Sequence, residues 1–149
     1  MTTRLPDFLP YQLSITSNAI SGRIADSYRG QFGLKVSEWR VMAVLGDAGA
    51  QTQRELAAMT LMDKVAVNRA CRSLEERGLA VRTPNSRDGR SHHLALTDEG
   101  SAIHARIMPL ALAMEARLFE GFDEAERAQF SAMMQRLRKR AGELAGSQD

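Results

Sequence analysis

Residues 52–96 read TQRELAAMTLMDKVAVNRACRSLEERGLAVRTPNSRDGRSHHLAL, and a change of period inside this stretch decides the fold. Thr52-Gln53-Arg54-Glu55 is a capping box, a hydroxyl followed three residues later by a glutamate. It predicts a short helix carrying Leu56, Ala57 and Met59. The chain should turn around residues 60–62, and a longer helix runs from about Asp63 to Arg77. Its inward stripe is Val67, Ala70 or Cys71, and Leu74; Asp63 is its cap, and Gly78 ends it. From Leu79 the spacing alternates instead: Leu79, Val81 and Thr83 against Ala80 and Arg82, then Leu94 and Leu96 in a second strand from about Ser91. Between the strands, Pro84 to Arg90 holds Asn-Ser and Asp-Gly, the residues of a hairpin turn, with a basic tip.

Working outward, Ser37 is the expected cap of a helix carrying Trp39, Val41, Met42 and Leu45 that stops at Gly46. From Pro10 to Gly30, Leu13, Ile20, Ile24 and Tyr28 recur at helical spacing, with Pro10 in the first turn, where its missing donor costs nothing. The first eight residues read as a loose arm. Downstream, Thr97 caps a helix whose buried face is Ile103, Ile107, Leu110, Met114 and Leu118; Pro109 lies inside it and should kink it. Asp123-Glu124-Ala125-Glu126 opens a final helix with Phe130, Met133 or Met134, Leu137, Ala141 and Leu144 along one side.

At 149 residues, 44% hydrophobic and only 5% aromatic, the chain suits one compact, mostly α domain. No apolar run approaches a membrane span and the start lacks a signal-peptide pattern, so the expected location is the cytoplasm, with no membrane partner. The single cysteine, Cys71, excludes an intrachain disulfide and a zinc cage of several thiolates. His92, His93 and His104 complete no ligand spacing, so no metal is expected, and no signature of catalysis or of a cofactor stands out. An enzyme is therefore not the expected class.

Net charge is only +2, but its placement is informative. Seventeen of the twenty basic residues are arginine. Between Gln51 and Thr97, Arg54, Lys64, Arg69, Arg72, Arg77, Arg82, Arg87 and Arg90 outnumber Glu55, Asp63, Glu75, Glu76 and Asp88. Helix, turn, helix, strand, basic turn, strand is the order of a winged helix-turn-helix. Its second helix fits the major groove of DNA, and its hairpin carries an arginine to the narrow minor groove.

The motifs resemble the MarR family of multiple-antibiotic-resistance regulators over about Leu9 to Leu144. Ser37-Glu38-Trp39-Arg40-Val41 is similar to the family's second helix, and Gln53 to Ala57 to its first helix-turn-helix element. Asp63 to Arg69 and Leu74 to Leu79 resemble the recognition helix and its exit. Asp88-Gly89-Arg90 followed by Leu96-Thr97-Asp98-Glu99-Gly100 resembles the wing signature. The resemblance implies one domain over 1–149: a winged lobe at about 35–97, and dimerisation helices at about 9–31 and 98–145. It also implies a homodimer on double-stranded DNA, with half-sites about 34–36 Å apart, and release by a small aromatic or phenolic ligand. The two amphipathic terminal segments, which a lone winged module does not need, point to a dimer independently.

On this reading Lys64, Asn68, Arg69 and Arg72 contact bases or phosphates from the exposed face of the recognition helix. Val65 and Ala66 stand where the family often has hydroxyl residues, leaving methyl contact with thymine. Arg90 enters the minor groove, Arg87 meets phosphate, and Asp88 and Gly89 support the wing. Thr52 and Gln53 sit at a helix N-terminus, a natural phosphate seat, although Thr52 is first a cap. Cys71 reads as structural. The competing readings are a winged helix for protein–protein docking without an operator, and a small enzyme or redox sensor working through Cys71 or the histidines.

Overall fold

The computed structural model describes residues 2, 4–84 and 91–146. In chain order the helices are α1 (Leu9–Ala25), α2 (Arg29–Phe32), α3 (Val36–Ala48), α4 (Gln53–Thr60), α5 (Lys64–Glu76), α6 (Asp98–Leu118) and α7 (Glu124–Ala145). The strands are β1 (Gln51–Thr52), β2 (Ala80–Pro84) and β3 (His92–Leu96), and a short 3-10 turn at Leu5–Asp7 precedes α1. The class is mostly α with a small β wing on a winged helix-turn-helix, and no described helix is long and apolar enough to cross a membrane. The chain divides into two compact units, one ending at Met114 and one beginning at Glu115.

The first unit holds the core. Tyr28, Leu34, Trp39, Met42, Leu56, Val67, Leu74, Leu79, Leu94 and Ile107 are all buried in one cluster. Each helix of the DNA-binding motif turns its apolar stripe into this cluster. Val67, Ala70, Cys71 and Leu74 of α5 are buried together, as their spacing of three and four residues requires. Glycine is needed at the exit of α5: Gly78 has φ 73°, and Leu79 N–H then donates to the Leu74 carbonyl at 2.9 Å. Thr97 joins this exit to α6, donating through its hydroxyl to Gly78 O at 2.7 Å and accepting from Gly100 N at 3.1 Å. Gly100 lies against the Leu79 backbone so closely that a Cβ there would overlap the carbonyl.

Several local expectations are corrected. α3 begins at Val36, not after Ser37, because Glu38 Oε1 accepts from Lys35 N–H at 2.8 Å and closes the turn one residue pair earlier. It also runs through Gly46 to Ala48, its interior glycine leaving room for the His104 ring. The single helix expected from Pro10 to Gly30 is broken at residues 26–28, where Tyr28 turns into the core. β2 begins at Ala80 rather than Leu79, with Ala80 buried and Val81 exposed. Leu79 belongs to the helix exit, and Arg82 takes the helix-facing side by pairing with Glu75 of α5 at 2.7 Å. The hairpin gains a third strand, since β1 pairs antiparallel with β3 in the order β1-β3-β2, with Thr52 opposite His93 and Gln51 opposite Leu94. Pro109 lies inside α6, as its sequence pattern places it, and Leu110, expected on the buried face of that helix, is exposed.

In the second unit α7 is closed at its start by a reciprocal capping box. Glu126 N–H donates to Asp123 Oδ1 at 2.7 Å and Asp123 N–H to Glu126 Oε1 at 3.0 Å. Phe119 packs edge-on against Phe122 and near Phe130, and Arg127 lies over the Phe119 ring while pairing with Glu115. The apolar side of α7 is largely uncovered in the single chain: Phe130, Met133, Leu137 and Leu144 are exposed.

Candidate nucleic-acid interface

The interface is built on two capped helix starts. Thr52 Oγ1 accepts from Glu55 N–H at 3.1 Å and opens α4; Asp63 Oδ1 accepts from Ala66 N–H at 2.8 Å and opens α5. Each cap uses a short polar side chain to satisfy an orphan donor, which fixes where the helix begins and hence which residues occupy its first turn. Between them, Leu61 sits in the left-handed region at φ 54° with its side chain in solvent.

With the core stripe of α5 inward, its other side is set by geometry. Lys64, Val65, Arg69 and Arg72 are exposed, while Ala66 and Asn68 are half-buried at the margin. Lys64, Asn68 and Arg72 are spaced by four and so share a ridge. Gln53, the first residue of α4, reaches this ridge and donates from Nε2 to Asn68 Oδ1 at 3.3 Å. The groove where α4, α5 and the sheet meet has a volume of about 480 Å³ and is bordered by Thr52, Gln53, Arg54, Asn68, Arg82 and His92.

The arginines divide into two sets. Arg82 is committed to Glu75, and Arg77 donates to the carbonyls of Phe32 at 2.8 Å and Gly33 at 3.2 Å, closing the end of α2. Arg54, Lys64, Arg69 and Arg72 make no ion pair among the described residues, and all four are exposed. Arg54 was not singled out by sequence, although its place in the first turn of α4, beside Gln53 in the groove, was readable from the capping box. Arg87, Asp88, Gly89 and Arg90 lie outside the described residues.

α5 is tied to the rest of the lobe by one buried polar contact. Glu38 of α3 is buried; its Oε1 accepts from Lys35 N–H and its Oε2 from the Ser73 hydroxyl at 2.5 Å. The Cys71 thiol is fully buried, and its desolvation pushes its pKa up to about 11, with Arg82 opposing and Glu75 adding to the rise. At neutral pH it is a protonated, inaccessible group, the opposite of a reactive thiolate. His92 is exposed on β3 and His93 half-buried beside it. Among the described residues no cluster of three or more His, Cys, Asp or Glu could hold a metal ion.

A tri-helical core, a recognition helix with one buried and one cationic face, and a three-stranded wing sheet define a winged helix-turn-helix DNA-binding protein. Residues 32–91 match the MarR family. An HTH-type transcriptional repressor of Mycobacterium tuberculosis is 27% identical over 105 residues, covering 70% of this chain and 76% of the relative. A MarR/EmrR family regulator from Acinetobacter sp. ADP1 superposes with a TM-score of 0.86 at 26% identity, covering 95% of this chain and 99% of that one. CouR from Rhodococcus jostii RHA1, solved bound to p-coumaroyl-CoA, gives a TM-score of 0.78 at 26% identity over 91% of this chain and 95% of its own.

Proposed function

We propose that the chain is a homodimeric repressor whose two α5 helices enter successive major grooves of a pseudo-palindromic operator. The observation that carries this is the two-faced character of α5. Four consecutive stripe residues are spent on the core, while Lys64, Arg69 and Arg72 are exposed on the other side without an ion pair among the described residues, with Val65 between them. Lys64, Arg72 and Arg54 supply phosphate contacts, Arg69 and Asn68 reach base edges, and Val65 and Ala66 offer methyl groups to thymine. Thr52 and Gln53 add the N-terminus of α4 as a phosphate seat. Arg90 and Arg87 are assigned to the minor groove and the adjoining phosphate, with Asp88 and Gly89 shaping the turn that presents them.

The second copy is called for by apolar surface that the chain leaves uncovered: Leu9 and Leu13 on α1, and Phe130, Met133, Leu137 and Leu144 on α7. A small aromatic ligand is proposed as the release signal, supported by the p-coumaroyl-CoA bound to the similar CouR. It acts by favouring dimer shapes whose α5 helices are wrongly spaced for the operator.

Selection of bound duplexes from a random pool, with sedimentation of the free protein, tests the reading. The expected result is an enriched inverted repeat with half-sites about one helical turn apart and a dimer in solution. A monomer that enriches no sequence refutes it and favours a docking module. Release is checked by titrating the selected duplex complex with hydroxycinnamates and their CoA thioesters. Unchanged affinity across that panel removes the ligand step.

A further inference from the structure

An asparagine that reads adenine uses both ends of its amide: the oxygen accepts from N6–H and the nitrogen donates to N7. Asn68 has one end of its amide already engaged. Gln53 Nε2 donates to Asn68 Oδ1 at 3.3 Å, and both side chains are half-buried where α4 meets α5. The contact turns the amide oxygen of Asn68 toward α4 and its NH₂ group away from α4. A side chain so held presents donors. Guanine offers two acceptors on its major-groove edge, N7 and O6, whereas adenine places a competing donor beside N7.

We infer that Gln53 sets the base preference of Asn68, holding it to guanine against adenine in each half-site. Gln53 is then a positioning residue: its task is to fix which end of a neighbouring amide meets the base. This rests on the operator-binding function proposed above and goes beyond it by assigning a base class to one residue. The backbone supports such a role. Gln53 is the first helical residue after the Thr52 cap, so its position follows from the cap, and Asn68 lies on the second turn of a helix whose opposite side is immobilised in the core.

The experiment uses the full chain in three forms, wild type, Gln53→Met and Asn68→Ala, each checked for folding by circular dichroism melting. Gln53→Leu serves in place of Gln53→Met if that variant melts early. Each form selects duplexes from a random pool. The position whose preference Asn68→Ala levels is then titrated as guanine and as adenine. Wild type is expected to favour guanine there by about tenfold, within the range of a single good base contact. The Gln53 variant should reduce that ratio to within about twofold, the scale expected once the amide turns freely, with other positions unchanged. Three results overturn the inference: a Gln53 variant that keeps the wild-type ratio, a wild type that favours adenine, or an Asn68→Ala variant that levels no position. A wild-type pool with no enriched sequence is a separate failure, since it removes operator binding itself and this assignment with it.

Discussion

α5 and α7 carry the same sequence pattern and end in opposite states. Both are amphipathic helices opened by an aspartate cap, and both repeat apolar residues at three- and four-residue spacing. In α5 the stripe is consumed by the chain's own core: Val67, Cys71 and Leu74 are 0% exposed. In α7 it is not: Met133 is 50%, Leu137 53% and Leu144 51% exposed. Periodicity states that a helix has a face to bury, and not whose atoms will cover it. For α5 the cover is α3, α4 and the sheet; for α7 the proposed cover is another copy of the chain.

The largest effects should separate these two faces. Leu74→Ala leaves a cavity in a sealed core and should cost about 2–5 kcal/mol, lowering the melting temperature by the same amount at every protein concentration. Leu137→Asp, which sets a charge on the exposed stripe, should leave the melting of the lobe nearly untouched and instead weaken self-association, by about tenfold or more in dissociation constant as read by sedimentation. If Leu137→Asp changes nothing, the contrast between the helices is only one of exposure. On the outward side of α5, Arg69→Ala should cost about 1–3 kcal/mol of operator affinity in gel-shift titration while leaving the melting temperature in place. The smallest change is a gain: Leu61→Asn relieves a left-handed conformation that suits asparagine better than leucine, and should stabilise the lobe by up to about 1 kcal/mol in denaturant unfolding.

The sequence is most legible where structure is decided locally. Thr52, Asp63 and Asp123 each cap as expected, because a cap is a hydrogen bond between residues three apart. The stripe of α5 is equally plain, since four inward residues of one helix leave no other phase. What was hidden depends on distant partners. β1 has two residues and therefore no period to detect, existing only because β3 lies alongside. The covered side of β2 could not be read from its alternation, because an arginine occupies the helix-facing side and only the fold brings Glu75 to it. The break after Ala25 goes with Tyr28 stacking on Trp39 at 5.6 Å, a contact between the turn and α3. At the candidate interface, the exposure of Lys64, Arg69 and Arg72 could be read from the helix, whereas the capture of Arg77 and Arg82 by internal partners could not.

The buried Glu38 bears on how such a molecule could change shape. Its carboxyl group bridges the first turn of α3 and the Ser73 hydroxyl of α5, two elements that would otherwise meet through interchangeable methyl groups. A slide of one helix along the other would break the bond that a buried carboxylate makes at the edge of the interior, a cost that repacking hydrocarbon does not carry. The pair is thus indexed like a key in a slot. Any reorientation of the DNA-reading surface must carry α3 and α5 together as one rigid piece, with the compliance located elsewhere in the chain.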